Sequence, residues 1–404
     1  MTRVSVISIH SNNYGNRLQA YALHQVLHRE LDPSGDTRIE SLQIPNVAKK
    51  RPLWRRAAGK AKRMLKKALG ANRTSASANN RGPLFESFTD RYIPTIHIAH
   101  AAAAAERDGI FVIGSDQCWN PSWDVGARPD GVQCATGVAA ARKLSYAASF
   151  GITYDDLPPE WRARYAAWLA EFAPGTISVR EDAGAACVRE LCGVEAQVVI
   201  DPTMLLAPND WTAIECRPHI EGIDAPFCLK YVLGDDVNSE VISQLCTERG
   251  LTVIDLRNAA LPVGPAEFVW LIHHSALVCT DSFHASVFSI LFERPFVIYE
   301  RQQSRQCDMS SRFDTLARML GIEDHRANSS AFNWNAVWNC DWTALEQRLE
   351  AERAASLAWL RAALAATDAV APPHHVDLDR ACCGCGAPIC KGQRAHPAPE
   401  GMHF

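Results

Sequence analysis

The stretch CTDSFHASVF, Cys279 to Phe288, sets an acid, a hydroxyl and an imidazole (Asp281, Ser282 and His284) between two apolar runs. Imidazole changes charge near neutrality, so it suits a proton transfer at cellular pH. Four more polar clusters follow strand-like segments: His10-Ser11-Asn12-Asn13-Tyr14-Gly15-Asn16-Arg17, Gly114-Ser115-Asp116-Gln117, Ser178-Val179-Arg180-Glu181 and Asp201-Pro202-Thr203. Helix N-termini carry free amides and partial positive charge, which attract anions. Asn16, Ser178 and Ser282 are candidate caps of such termini. Arg17 and Arg180 fall in the first turns, where their charge opposes the helix dipole. That placement makes sense if an anion binds there, so the expected ligand is a small phosphate or carboxylate. Simpler readings stand beside this one. Asp-Pro-Thr is often only a turn, Asp281 or Ser282 can be a plain cap, and a lone histidine is more often structural. His273 and His274 follow the helical apolar pattern Phe268-Val269-Trp270-Leu271-Ile272 and read as structural.

The elements that must position these groups alternate. Strand-like runs lie at Val4–Ile9, Gly109–Ile113, Lys143–Ala148, Thr176–Val179 and Gln197–Ile200, with helical patterns at Leu18–Leu27, Trp161–Phe172 and Asp182–Leu191. A second series runs through Phe227–Val232, Leu251–Ile254, Ala276–Thr280 and Pro295–Ile298. Alternation of this kind predicts α/β architecture with parallel sheets covered on both faces. Ligands of such sheets bind at the carboxyl ends of the strands, where all five clusters fall. The expected organisation is a Rossmann-like domain over 1–206, a second over 207–342, a closing helix over 343–370 and a Cys-rich tail over 371–404, with the site in the cleft between the two domains. Thr343-Ala344-Leu345-Glu346 fits a capping box for the closing helix, and Leu345, Leu349, Leu357, Leu360 and Leu364 form its apolar stripe.

Length and composition agree. A chain of 404 residues is too long for one ordinary core. With 47 % hydrophobic and 21 % charged residues it reads as globular, and a net charge of −4 argues against a general polyanion binder. No nucleic-acid partner is expected. No export leader and no run of about 18 apolar residues is apparent, so the expected location is cytoplasmic. The insertion 49–73 carries eleven Lys/Arg and no acid. It reads either as solvated surface or as a basic helix resting on an anionic membrane face or glycan. Ten of the fourteen cysteines are scattered and read as reduced, buried hydrophobes. In the tail, Cys382, Cys385 and Cys390 are candidate metal ligands with His396, but neither ferredoxin nor regular zinc spacing is kept.

The clusters together resemble the polysaccharide pyruvyl transferases. The resemblance is carried, in order, by Asn13-Tyr14-Gly15-Asn16-Arg17-Leu18-Gln19-Ala20-Tyr21-Ala22-Leu23, Gly114-Ser115-Asp116-Gln117-Cys118-Trp119, Ser145-Tyr146-Ala147-Ala148-Ser149-Phe150-Gly151, Ser178-Val179-Arg180-Glu181, Asp201-Pro202-Thr203 and Asp281-Ser282-Phe283-His284, with Arg312-Phe313 near the end. It covers roughly residues 1–365. It implies a GT-B-like pair of domains, transfer of pyruvate from phosphoenolpyruvate to a nucleotide- or lipid-linked sugar acceptor, and no required metal or organic cofactor. It implies His284 as the catalytic residue and Arg180 as a ligand of the donor anion. Arg301 and Arg305 are the two candidates for a further cation. Asp281 is expected to orient the imidazole or act as base, and Asp116 and Gln117, next to Ser115, to bind acceptor hydroxyls. The rival reading is a GT-B glycosyltransferase using a nucleotide sugar, with Glu300 as the carboxylate that would hold ribose.

Overall fold

In a computed structural model the chain is described over residues 2–31, 36–43, 81–98, 100–235, 238–301 and 311–367. The basic segment 49–73, Arg305 and the tail with Cys382, Cys385 and Cys390 lie outside these residues. The apolar runs read as strands form two parallel sheets. The first has seven strands, β1 (Thr2–Ile7), β2 (Thr37–Gln43), β3 (Thr95–His97), β4 (Ile110–Ile113), β5 (Lys143–Ala148), β6 (Ile177–Val179) and β7 (Gln197–Val198), in the order β3-β2-β1-β4-β5-β6-β7. The second has four, β8 (Phe227–Tyr231), β9 (Thr252–Asp255), β10 (Leu277–Thr280) and β11 (Phe296–Ile298), in the order β11-β10-β8-β9. Every residue of β4, β5, β8 and β10 is buried, as continuous apolar strands of parallel sheets must be.

The sequence patterns did not lead to β2 or β3. In β2, Arg38 and Glu40 break the apolar run, yet Glu40 is buried and paired with Arg38 and Arg107. A buried ion pair thus hides a strand from any reading of hydrophobicity.

The helices that matter to the site are α1 (Tyr14–Leu31), α2 (Gly82–Tyr92), α3 (Pro159–Leu169), α4 (Asp182–Cys192), α5 (Ser239–Glu248), α6 (Pro265–His273), α7 (Phe283–Leu291), α8 (Ser311–Leu320) and α9 (Trp342–Ala365). α1 and α7 link the two sheets. Tyr14 stacks on Phe268 of α6 with centroids 4.5 Å apart and donates its hydroxyl to Val263 O at 3.1 Å. One hydrophobic core runs from Val4 and Val6 through α1 to Phe268, Phe288 and Phe296. α9 packs back over this core with Leu345, Leu349, Leu360 and Leu364 buried, and Ser356 Oγ accepts from Ile200 N at 3.1 Å. Its cap is Asp341, whose side chain accepts from Ala344 N at 3.0 Å, so the expected capping box at Thr343 is replaced by a start two residues earlier. The described cysteines are free, most of them buried. None of the described helices is long and apolar enough to cross a membrane.

Candidate active site

The carboxyl ends of strands from both sheets meet around a cavity of about 350 Å³. From the first sheet come His10, Asn13 and Asn16 after β1, and Asp116, Gln117 and Trp123 after β4. From the second come Leu233 after β8, Ser282 and His284 after β10, Arg301 after β11 and Arg312 on α8. The loop after β4 turns at Gly114, whose φ of +121° and closeness to Tyr146 O leave no space for a side chain.

His284 lies in the first turn of α7, nearly buried. Its Nε2 stands 3.6 Å from Asp201 Oδ2 and has no hydrogen-bond partner, while its Nδ1 edge lies against the Gly15 backbone. Asp201 is fully buried, and its other oxygen accepts from Thr203 N at 3.0 Å and Thr203 Oγ1 at 2.7 Å. Burial alone would raise its carboxyl, but His284 and Arg180 outweigh burial and hold it below the ordinary carboxylate range. Asp-Pro-Thr is therefore more than a turn: it carries the carboxylate that faces the imidazole.

That role had been expected of Asp281. Its oxygens are instead taken by Leu233 N at 2.8 Å, Gly234 N at 2.7 Å and the Arg301 guanidinium at 3.2 Å, which ties the loop after β8 to β10. Arg301 reaches the cavity wall but is paired there with Asp281.

Arg180 is almost wholly buried beneath the cavity. It donates to Asp201 Oδ2 at 2.8 Å and Asp116 Oδ1 at 3.0 Å, with its guanidinium carbon 4.6 Å from the Phe283 ring centroid. Burial would lower its pKa, but Asp116, Asp201 and Glu181 raise it. Asp116 is likewise held down, burial being overridden by Arg180, His284 and Arg312, and it accepts from Asn16 Nδ2. Arg180 thus organises two carboxylates rather than standing free for an anion.

Of the two described arginines that line the cavity, Arg312 is the one outside an ion pair, its guanidinium carbon 5.9 Å from the Phe283 ring centroid. It lines the cavity, is buried, and its Nε has no hydrogen-bond partner; among the described residues it makes no ion pair. Burial, then the neighbouring Arg180, lowers its pKa to about 10, so it stays charged at neutrality. Its signal was present in the Arg312-Phe313 pair, but only the chain fold shows it beside His284.

Several expected residues stand off the cavity. Ser178 is in the middle of β6, where its hydroxyl donates to Ser145 O at 2.8 Å and cannot cap α4. Ser115 is buried with its hydroxyl on Gln19. Arg17 is buried behind Asn12, its pKa lowered to about 10 by burial. Asn13, not Asn16, caps the first turn of α1, its side chain accepting from the third amide of the helix, Asn16 N, at 3.4 Å. Ser282 occupies the cap position of α7, but its hydroxyl makes no capping bond and faces the cavity. Asn16, Asp116, Gln117, Ser282, His284 and Arg301 are the expected residues that the fold brings to one wall. Glu300 is exposed, accepts from Asn328 Nδ2 at 3.2 Å and does not line it.

No curated protein matches the chain. Similar solved structures include an S. aureus MnaA–UDP co-structure (10 % identity, 87 % of this chain and 91 % of that one, TM-score 0.46). Acinetobacter baumannii MurG is another (10 % identity, 90 % and 99 %, TM-score 0.38). A Neisseria meningitidis UDP-GlcNAc 2-epimerase bound to UDP-GlcNAc is a third (11 % identity, 88 % and 94 %, TM-score 0.35). At these values the likeness says nothing of activity. Residues 13–303, however, match the family described as polysaccharide pyruvyl transferase, and this span holds the residues at the cavity except Ile9, His10, Ser11 and Arg312. The chain belongs to the polysaccharide pyruvyl transferase family.

Proposed function

We propose that the protein moves pyruvate from phosphoenolpyruvate to hydroxyls of a sugar in a surface polysaccharide or its nucleotide- or lipid-linked precursor. The products are a pyruvate ketal and phosphate. The observation that supports this reading most is the buried Arg312, which lines the same cavity as His284 and makes no ion pair among the described residues. Phosphoenolpyruvate carries a phosphate and a carboxylate, which guanidinium groups bind in bidentate fashion.

In the proposed scheme His284 gives a proton to the methylene carbon, and the adjacent carbon becomes oxocarbenium-like. A sugar hydroxyl attacks that carbon and passes its proton to the imidazole. The bond from carbon to the phosphate oxygen then breaks, the electron pair leaves on phosphate, and a second hydroxyl closes the ketal and gives its proton to the departing phosphate. Asp201 faces the imidazole at 3.6 Å and helps to orient it, and Arg312 offsets charge on the departing phosphate. The scheme calls on side chains alone. Trp123 and Leu233 stand partly exposed at the mouth, and the Trp123 indole N–H donates to Gln117 Oε1 at 2.5 Å, which fixes the ring as a surface for the acceptor sugar.

Calorimetric titration with phosphoenolpyruvate, and separately with uridine and guanosine diphosphates, tests the reading. Binding of phosphoenolpyruvate, weakened at least about tenfold in Arg312→Ala, is the expected result. Binding of a nucleotide alone would transfer the chain to nucleotide-sugar chemistry.

A further inference from the structure

Far from the cavity lining, Glu215, His273 and His274 converge where the segment joining the two sheets crosses α6. His273 ends that helix and His274 caps it. Cys216 N donates to Ala266 O at 3.2 Å, which holds the segment on the helix. One oxygen of Glu215 lies 2.9 Å from His273 Nδ1 and the other 3.5 Å from His274 Nε2, and the ligand atoms all lie within 4.8 Å of one another.

One carboxylate accepts from two imidazoles, one on each oxygen, and the same three groups form a ligand set when a cation enters. Tetrahedral zinc with bonds of about 2.0–2.1 Å spaces its ligands about 3.3 Å apart, so the 3.5 Å contact already fits and the 2.9 Å contact opens by a few tenths of an ångström when the ion enters. The rings are also held in place: His273 stacks on Phe292 at 4.4 Å and His274 on Trp270 at 4.3 Å. The nearby Arg217 lies over Trp270 and is paired with Asp224, so its charge is compensated. Two imidazoles and a carboxylate suit zinc, nickel or copper(II) rather than calcium or magnesium.

We propose that Glu215, His273 and His274 hold a divalent transition-metal ion of the zinc class, with water completing its coordination. The ion pins the segment joining the sheets to α6. The residues line no part of the cavity, so this site stands apart from the proposed transfer.

The test uses the full chain, untagged and stripped with chelator, titrated with zinc chloride by calorimetry beside His273→Ala/His274→Ala. Wild type should take up one equivalent more than the variant, which removes any contribution of the tail cysteines from the comparison. Glu215→Gln should weaken that equivalent at least about tenfold, as loss of a ligand or its support does. With cobalt(II), the difference spectrum between wild type and variant should show visible d–d bands and no sulfur charge-transfer band. Equal stoichiometry in wild type and variant, or a difference spectrum dominated by the sulfur band, would overturn the proposal. If the double variant fails to fold, the exposed single change His274→Gln decides by the same criteria.

Discussion

Gly15 lies directly against the imidazole of His284: a Cβ built at the glycine would meet Nδ1 at 2.1 Å. The first helix of one sheet therefore forms the back wall of a residue carried by the other. Gly15→Ala should leave the fold in place at a cost of about 1–3 kcal/mol, the usual penalty of overpacking. Turnover should fall at least about tenfold, because the ring must move. Turnover and melting temperature measured together check this; full activity would show that the ring has room.

His284→Ala should fold normally and lose at least about two orders of magnitude in turnover, the size of a general-acid contribution. Asp201→Asn should lower turnover as well, while Asp281→Asn should act mainly through the loop that Arg301 and Leu233 share with it. Turnover and denaturant unfolding measured on both variants separate the two: the Asp281 change should cost more stability than turnover, the Asp201 change the reverse.

Arg312 and Arg180 should part company. Arg312→Ala should weaken phosphoenolpyruvate binding by about 1.5–3 kcal/mol, the worth of hydrogen bonds to a charged group, with little loss of stability. Arg180→Ala leaves Asp116 and Asp201 buried without their partner and should destabilise the fold by about 3–5 kcal/mol. Calorimetry and denaturant unfolding on both variants give the comparison. Equal loss of stability would mean that Arg312 has a structural partner.

Acid should weaken the fold before the site is considered. Burial, then His28, lowers the His24 pKa from 6.5 to about 3, and burial, then Arg17, lowers that of His10 to about 4. Between those values and 6.5 the unfolded chain binds more protons than the folded one, so stability is full above pH 6.5 and falls as pH drops. Unfolding free energy measured from pH 7 to 4 should show this slope, and His24→Gln should flatten part of it.

Trp123→Ala should raise the KM for the acceptor sugar and leave phosphoenolpyruvate affinity unchanged. A change in donor affinity instead would place the donor under the indole.

Much of this was legible in the chain. Apolar runs such as Phe111-Val112-Ile113 and Val278-Cys279 announce buried parallel strands, and the polar residues after them fall at the edge where such sheets bind ligands. Which carboxylate meets which base was not legible. Asp281 is three residues from His284 and looks like its partner, yet the helix start turns their side chains apart. Asp201, far off in sequence, is brought to Nε2 by a different sheet. Likewise Arg180 reads as an anion ligand until two carboxylates are found on it, and Arg312 reads as one end of an amphipathic helix until it is found lining the cavity with no ion pair among the described residues.

The core shared by the two sheets bears on how substrates enter. A hinge that parted the sheets like jaws would separate Tyr14 from Phe268 and Trp211 from Phe288, each an aromatic pair buried in the shared core. Each large side chain bared would cost about 1.5–3 kcal/mol, before the lost packing of α9 is counted. The shared core therefore opposes a jaw-like opening of the cavity. On the proposed function its groups are held before a donor arrives, and choice among acceptors falls to the residues at the open mouth.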